Sequence, residues 1–396
     1  MGKENEPPWY RGTSNGYPAD PLPPDRSKAD LRCMFRPAHS LLVLGLAAVL
    51  ALGCRRDEAL PDGPGTTHTG PTPLALNVPD WAVDSVHGLN LPWDNPLTVE
   101  GVALGRMLFY EKALSNDYSM SCATCHRQEH AFSDPRQFSV GTDGTVGRRN
   151  SMSVMNLAWD HFFFRDARAF SLELQALRPV VDHAEMRNTW PVVEQRLAAD
   201  PRYPPLFQKA FGSPHIDSLR VVFAIAQFER TLLSFNSRFD RYYYGGEQFA
   251  LTDQERRGMD LFFGEAHCGD CHMLPHFKDA NVQNIGLPPG PTIDAGLMEV
   301  SGLPEHRNRF KNVSLRNIAV TAPYMHDGRF ATLEEVVDFY ADDVQTQVAN
   351  LDAHMAPWVW GQIDLDAQER ADLVAFMMTL TDHEFLTNPA FSDPHP

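Results

Sequence analysis

Cysteine and basic residues are scarce in this sequence, and no apolar run in it is long. The 396 residues include 6 cysteines, and 51 acidic side chains outnumber 34 Lys and Arg to give a formal net charge of −17. This acidity argues against nucleic acid as a partner, because too few cations are present to neutralise phosphates. It fits docking of a basic protein, or solubility alone. No alternation of apolar and polar residues rivals the helical patterns, which argues against a β-rich fold.

The longest apolar run, Leu41–Leu52, has twelve residues, whereas a membrane span needs roughly 20. Arg36 precedes the run and small residues lead from it to Cys54, which is typical of an export signal. The stretch "LALGC" resembles a bacterial lipoprotein signal. We therefore predict that residues 1–54 are an N-terminal extension and export signal, that translation starts at Met34, and that Cys54 is lipidated. Ordinary cleavage and an uncleaved anchor are the alternatives.

The rest of the chain divides into a tether and two helical halves. Residues 55–80 are rich in Pro, Gly and Thr, which is the composition of a flexible linker. Residues 218–235 and 252–264 carry apolar residues at helical spacing, and the turn-rich stretch "YYYGGEQFALT" separates them. We predict an N-terminal domain at 81–244 and a C-terminal domain at 245–388.

Four of the six cysteines lie in two C-x-x-C-H pentads, one in each half. Their members are Cys122, Cys125 and His126, and Cys268, Cys271 and His272. CxxC pairs also occur in zinc sites and, in exported proteins, as disulfides. A His directly after the second Cys is instead typical of c-type haem, in which both thiols add to vinyl groups and the His binds the iron. We predict two covalent haems, and the remaining Cys33 and Cys54 fall in the leader.

Three longer segments resemble the bacterial di-haem cytochrome c peroxidase family, including its MauG branch. They are "LGRMLFYEKALSNDYSMSCATCHRQEHAFSD" (104–134), "FRDARAFSLELQALRPVVDHAEM" (164–186) and "LRNIAVTAPYMHDGRFATLEEVVDFY" (315–340). The resemblance covers nearly all of residues 95–385. It implies a mainly α fold of two cytochrome c-like domains, each with one covalent c-type haem. It also implies that the N-terminal haem reacts with peroxide and that the C-terminal haem receives or stores electrons.

The resemblance assigns the acid–base groups at the N-terminal haem to Gln175 and Glu185. Glu185 would move a proton between the two oxygens of peroxide, and Gln175 would hydrogen-bond the bound peroxide. Judged by residue type alone, both would be ordinary solvated helix residues. Pro179 falls where the family places a proline against the open haem, and there it sets shape rather than chemistry.

Many members of the family close the N-terminal haem with a His in the loop after the first pentad. Thr142 stands at that place, eight residues before Asn150, and a hydroxyl is a poor substitute for imidazole. We therefore expect the haem on His126 to be five-coordinate, high-spin and open without reductive activation. His130 is too near the pentad to fold over the opposite face.

The family also holds a calcium ion between the two domains. The matching positions are Asn150, through its side chain, and Thr321 and Pro323, through their backbone carbonyls. Such oxygens, with waters, are the ligands that Ca²⁺ takes. The alternative is an Asn in a turn and a plain "TAP" loop.

Arg165 departs from the family pattern. The family reads Trp-Asp-Gly-Arg where this chain reads "RDAR" at 165–168, and that tryptophan lies between the haems. Arginine cannot be oxidised at useful potentials, so the route between the haems is in doubt. Trp159 or the run Phe162–Phe164 could fill the gap, and direct tunnelling is the other route.

The sixth ligand of the C-terminal haem separates the branches of the family. In peroxidases it is a Met fourteen residues after the His of a Y-x-H-D-G motif. The fourteenth residue after His326 is Tyr340, and Tyr is the residue of the MauG branch. A phenolate favours ferric iron and lowers the potential, whereas a thioether favours ferrous iron. The alternative is that Tyr340 packs in the core and that Met325 or Met355 binds the iron.

The residues together predict a di-haem c-type peroxidase that reduces hydrogen peroxide with electrons from a small soluble donor, such as a cytochrome c or a cupredoxin. The alternative is a MauG-like oxidase, which applies peroxide-derived oxidising equivalents to a protein or small-molecule substrate. A non-catalytic electron carrier is a third possibility, which Gln175 and Glu185 disfavour. We expect an exported, periplasmic protein that meets the membrane only through a lipid on Cys54.

Overall fold

The computed structural model describes residues 70–83, 88–290 and 293–395. The predicted export signal, the lipidation site at Cys54 and most of the predicted tether lie outside the described residues. No helix within these three ranges has both the length and the apolar character that a bilayer crossing demands.

Helices dominate the described residues. Those of the N-terminal half are α1 (Val99–Phe109), α2 (Cys122–Cys125), α3 (Leu172–Val181), α4 (Trp190–Ala199), α5 (Tyr203–Phe211), α6 (Ser218–Arg230) and α7 (Arg238–Tyr243). Those of the C-terminal half are α8 (Asp253–Phe263), α9 (Met298–Ser301), α10 (Leu333–Asp338), α11 (Ala356–Val359), α12 (Ala367–Met378) and α13 (His383–Thr387). A small antiparallel sheet pairs β1 (Val282–Gln283) with β2 (Phe310–Lys311). The predicted mainly α class is confirmed.

Capping boxes begin the two helices that precede the C-terminal site residues. At α8, the Thr252 hydroxyl accepts from the N–H of Glu255, and the Glu255 carboxylate accepts from the N–H of Thr252. Thr332 and Glu335 repeat this exchange at α10. Each box satisfies N–H groups that a helix start leaves unpaired. The boxes therefore fix the register of α8 ahead of the second pentad and of α10 ahead of Tyr340.

The two halves share a helix crossing. α1 packs on α6 at Gly105, and α8 packs on α12 at Gly258. A Cβ at Gly105 would lie 1.8 Å from the carbonyl oxygen of Ala224, and a Cβ at Gly258 would lie 1.8 Å from that of Asp372. Because no side chain tolerates such an approach, both crossings require glycine. The halves do not read as a tandem repeat in sequence, yet this crossing repeats in the structure.

Each half also buries an aromatic cluster beside its pentad. The first cluster includes Phe109, Phe132, Phe207 and Phe228, and the second includes Phe239, Phe262, Phe277 and Phe376. All described residues nevertheless belong to one compact unit. The division into domains at residue 244 therefore stays a prediction.

The C-terminal segment returns to the first half. Phe385 of α13 packs edge-on against Phe132, with 5.6 Å between the ring centroids. The hydroxyl of Tyr110 donates to the carbonyl oxygen of Phe391 at 2.7 Å. The last helix, although it follows the second haem motif, thus completes the core around the first.

Residues 70–80, the end of the predicted tether, lie against the start of α1. The hydroxyl of Thr72 donates to the carboxylate of Glu100 at 2.9 Å, and the N–H of Leu74 donates to the carbonyl oxygen of Leu97 at 2.9 Å. Packed structure therefore begins before the domain boundary predicted at residue 81.

Candidate active site

The first pentad forms a single helical turn that orients its histidine. The N–H of His126 donates to the carbonyl oxygen of Cys122 at 3.0 Å, which closes the turn of α2. The imidazole Nδ1 of His126 lies 2.8 Å from the carbonyl oxygen of Phe132. A carbonyl only accepts, so Nδ1 carries the proton and Nε2 keeps its lone pair. This is the tautomer that an iron-binding imidazole needs.

The second pentad has the same arrangement. The N–H of His272 donates to the carbonyl oxygen of Cys268 at 3.0 Å, and its Nδ1 lies 2.9 Å from the carbonyl oxygen of Phe277. Burial lowers the pKa of both His126 and His272, so both rings are neutral near pH 7. A neutral imidazole with Nε2 free is the state that binds a metal.

The two CxxC pairs stand apart from other metal ligands. None of the four cysteines forms a disulfide, and within the described ranges no three His, Cys, Asp or Glu side chains come together as a metal site. A structural zinc takes four such ligands. Of the three interpretations of the pentads, covalent haem is the one that these residues fit.

The second pentad opens into a cavity of about 480 Å³, a volume within the range of cofactor pockets. Both thiols of the pentad, the ring of His272 and the phenol of Tyr340 line it. Burial, with a smaller contribution from neighbouring acidic groups, raises the pKa of Cys271 to about 12. The cavity thus brings together the predicted attachment residues and the predicted sixth ligand.

Tyr340 lies just beyond α10, in a π-helical segment, Phe339–Asp343. Such segments are rare, and many occur at functional sites. The indole Nε1 of Trp358 donates to the carbonyl oxygen of Tyr340 at 2.6 Å and anchors the segment. Burial, followed by the thiols of Cys271 and Cys268, raises the pKa of Tyr340. The half-buried Tyr340 therefore lies in the same cavity as the thiols that would hold the haem.

Two methionines compete with Tyr340 as candidate ligands. Met325 and Met355 line the same cavity, and Met355 is only 2% exposed. The assignment of the sixth ligand to Tyr340 therefore stays a prediction, and Met325 and Met355 both remain alternative ligands.

Glu185 lies in the turn after α3, where its N–H donates to the carbonyl oxygen of Asp182 at 3.2 Å. Burial, with the negative charge of Asp182, raises the pKa of Glu185 to about 7, although Arg168 opposes the shift. Burial is also the main cause of the raised pKa of Cys122, and the charge of Glu185 adds to it. The carboxyl thus lies near the first pentad with a pKa suited to proton transfer near neutral pH.

Gln175 lies on α3 and is half-buried. Its side chain makes no hydrogen bond within the described part of the chain, and no described contact joins it to Glu185. The role assigned to Gln175 therefore stays a prediction.

Thr142 lies beside the turn that carries Glu185. Its backbone N–H donates to the carbonyl oxygen of Glu185 at 3.0 Å. Its hydroxyl oxygen is buried and, among the described residues, has no hydrogen-bond partner. The loop after the first pentad thus reaches the turn that carries Glu185, and the open state predicted for the first haem stays a prediction.

Glu229 is a buried carboxyl near the first pentad that the sequence did not reveal. It is 5% exposed, and its Oε2 has no hydrogen-bond partner among the described residues. Burial raises the pKa of Glu229 to about 8, and Arg230 only partly opposes this. Its charge is a further cause, after burial, of the raised pKa of Cys122. The sequence does contain an indication of a buried carboxyl here, because Glu229 interrupts the apolar pattern of α6.

Asn150, Thr321 and Pro323, the three predicted calcium ligands, all line the large cavity. The side-chain oxygen of Asn150, however, accepts a hydrogen bond from Nη2 of Arg165 at 3.1 Å. Nε of Arg165 donates to the backbone oxygen of the same Asn150 at 3.3 Å. The only side-chain ligand of the predicted set thus already faces a cation, and the set fits Ca²⁺ poorly.

Trp159 does not take the place of the tryptophan that the family has at Arg165. Its ring packs 5.5 Å from Phe235 and 4.5 Å from His276, measured between centroids. Arg165 lines the large cavity, and Trp159 is not among the residues that do. Arg165, and not Trp159, is therefore the residue that reaches the cavity, and the route between the haems stays a prediction.

Two half-buried pentads with neutral, oriented histidines define a di-haem protein of the c type. A model of the family described as "Di-haem cytochrome c peroxidase" matches residues 99–248. The methylamine utilization protein MauG of Methylorubrum extorquens is 40% identical over 290 residues, which are 73% of this chain and 80% of that protein. The chain belongs to the di-haem cytochrome c peroxidase family, and it is an oxidoreductase.

Other relatives fall in both branches of the family. The cytochrome c551 peroxidase of Nitrosomonas europaea is 34% identical over 293 residues, covering 72% of this chain and 81% of the relative. The crystal structure of a MauG-like protein associated with microbial copper homeostasis has a TM-score of 0.73 and 36% identity, covering 81% of this chain and 99% of that one. The di-haem peroxidase of Burkholderia thailandensis, at 24% identity and a TM-score of 0.66, shares the fold.

Proposed function

We propose that this protein takes up hydrogen peroxide at the His126 site and applies the two oxidising equivalents to an external protein or small-molecule substrate, as a MauG-like oxidase. The haem, when bound, supplies the redox chemistry that reduces peroxide to two waters with two electrons and two protons. The observation that carries the proposal is the position of Tyr340, which lines the same cavity as Cys268 and Cys271.

Glu185 would handle the protons of this reaction. Its pKa near 7 lets it accept a proton from peroxide as a carboxylate and return that proton to the departing oxygen. A positioned acid–base group contributes roughly 10²- to 10⁴-fold to a rate. Gln175, on the preceding helix, would orient the peroxide by hydrogen bonding.

Tyr340 would determine whether the oxidising equivalents are held for a substrate or are reduced by a donor. A phenolate ligand disfavours reduction of the second site, because its negative charge stabilises ferric iron. A second site that is hard to reduce is poorly suited to relay electrons from a donor, and well suited to hold oxidising equivalents. This supports substrate oxidation over simple disposal of peroxide.

A peroxidase that takes electrons from a small soluble donor is the second candidate. The formal net charge of −17 favours docking of a basic cytochrome c by long-range attraction. Met325 or Met355 at the second site, in place of Tyr340, would favour this reaction, because a thioether stabilises ferrous iron.

The proposed location is the periplasm. The export signal predicted within residues 1–54 supports it, as does the covalent attachment expected at both pentads. An anchor at a lipidated Cys54 would keep the protein at the membrane surface. Calcium at Asn150 is not part of the proposed function, because Arg165 competes for that ligand.

Peroxide titration of the purified protein separates the two candidates. If the protein is an oxidase, stoichiometric peroxide should produce a long-lived two-electron-oxidised state, which optical and EPR spectroscopy would detect. The same protein should oxidise reduced cytochrome c only slowly. Rapid turnover of reduced cytochrome c, with no such state, would instead identify a peroxidase.

A further inference from the structure

Arg165 joins the two halves of the molecule at the predicted calcium site. Its backbone oxygen accepts from the N–H of Lys311 on β2 at 2.7 Å, while its guanidinium donates to both oxygens of Asn150. The N–H of Asn150 in turn donates to the carbonyl oxygen of His326 at 2.7 Å. The two contacts with the second half are thus backbone hydrogen bonds, and the Arg165 guanidinium ties together the two first-half loops that make them.

The amide of Asn150 is oriented for this contact. Its Nδ2 donates to the carbonyl oxygens of Arg136 and Gln137 at 3.2 and 3.4 Å. Those two acceptors fix which end of the amide carries the nitrogen, and they leave Oδ1 toward Arg165. A cation bound at Asn150 Oδ1 would therefore lie next to the guanidinium.

We infer that the Arg165 guanidinium replaces the calcium ion in this chain, so that the junction between the two haem sites is held by a resident arginine and does not bind Ca²⁺. The inference concerns the junction and does not depend on which substrate the enzyme oxidises.

The local charges support the replacement. The guanidinium of Arg165 is a permanent cation, and its Nη2 donates directly to the side-chain oxygen that a calcium ion would need. The calcium set of one amide and two backbone carbonyls contributes no negative charge, and Ca²⁺ affinity depends on the number of charged ligands. A divalent ion would therefore meet the positive charge of Arg165 with no carboxylate in the set to offset it.

The neighbouring carboxylates are already paired with other arginines. Asp166 and Asp294 both bind Arg149, and Asp327 binds Arg329 through Nη2 at 2.6 Å. These ion pairs lie at largely buried positions, where separating the partners is costly. None of the three carboxylates is therefore available to turn toward a calcium ion without breaking a pair.

Metal analysis of the haem-loaded protein tests the inference. Wild type, Arg165→Gln and Arg165→Lys would be dialysed against calcium chloride and then against calcium-free buffer, and calcium per protein would be measured by elemental analysis. Arg165→Gln removes the charge and keeps a hydrogen-bonding side chain. Arg165→Lys keeps the charge and serves as the matched control. Optical spectra before and after a chelator would report on both haems.

We expect wild type and Arg165→Lys to retain no stoichiometric calcium and to keep their haem spectra in chelator. Arg165→Gln should bind calcium at least about tenfold more tightly than wild type, because the competing charge is gone. One tightly held calcium per wild-type molecule, or a wild-type spectrum that changes on chelation, would overturn the inference. Those wild-type results decide the question even if Arg165→Gln fails to fold.

Discussion

The backbone N–H of Thr142 donates a hydrogen bond to the carbonyl oxygen of Glu185, with 3.0 Å between nitrogen and oxygen. The contact joins the loop after the first pentad to the turn that carries the proposed proton carrier. A side chain at position 142 therefore lies in the same region as the carboxyl that would act on peroxide, and we predict that this position controls access to the first haem.

Thr142→His should close the first haem. An imidazole at this position can bind iron, whereas the hydroxyl of threonine is a weak ligand. We expect the high-spin EPR signal of the wild-type oxidised protein to be replaced by a low-spin signal, and the reaction with peroxide to slow strongly. Thr142→Val, which has the shape of threonine without a ligand atom, should keep the high-spin signal. A wild-type protein with only low-spin iron would contradict the open site.

Glu185 should impose a pH dependence on peroxide activation. The carboxylate must be deprotonated to accept the first proton, so the rate should rise with pH and level off above the pKa of about 7. Glu185→Gln should lower the rate by roughly 10²- to 10⁴-fold and remove this inflection, with both haems retained. Stopped-flow mixing with peroxide across pH measures both effects, and wild-type kinetics in Glu185→Gln would exclude the residue from the mechanism.

Asp182→Asn is the matched variant for that pH profile. The Oδ1 of Asp182 accepts from the N–H of Ala184 at 2.9 Å, and the amide oxygen of asparagine can keep this bond. The negative charge that helps to raise the pKa of Glu185 is lost. The inflection should therefore move to lower pH at a similar maximal rate. An unmoved inflection would mean that a different group titrates.

The pentads and the helix starts could be predicted because their signals are local. His126 follows Cys125 directly, and covalent haem attachment depends on that adjacency. The capping box of Thr252 and Glu255 likewise lies within four residues of sequence, and the structure shows it at the start of the helical pattern predicted for 252–264. The helical class and the family follow from such short signals.

The parts that the sequence did not predict depend on tertiary contacts. The burial of Glu229 requires α6 to pack between other helices, and a glutamate on an isolated helix would be solvated. The approach of Arg165 to Asn150 depends on how two loops fold. The carbonyl oxygen of Phe132 that orients His126 belongs to the backbone, and a backbone acceptor leaves no trace in residue type.

Tyr340→Met should convert the second haem to thioether ligation. We expect a sulfur-to-iron charge-transfer band at ~700 nm and a higher reduction potential, because a thioether favours ferrous iron and a phenolate favours ferric iron. Tyr340→Phe should change the spectrum of the second haem by removing the ligand. Met325→Leu and Met355→Leu should leave that spectrum unaltered. A band at ~700 nm in the wild type, lost in either methionine variant, would assign the ligand to methionine.

Glu229→Gln should change how stability depends on pH. In the folded protein the pKa of Glu229 is about 8, against an ordinary value of 4.5. Between these values the folded chain keeps a proton that the unfolded chain has lost, so stability falls as pH rises, by up to about 1.4 kcal/mol per pH unit. Glutamine is neutral throughout and lacks this loss. Denaturant unfolding from about pH 5 to about pH 8 should therefore show the variant gaining on the wild type as pH rises. Glu247→Gln, at an exposed ion pair with Arg241, is the control, and its stability should depend on pH as that of the wild type does. If the stability of Glu229→Gln also ran parallel to that of the wild type, the Glu229 carboxyl would not be buried in its neutral form.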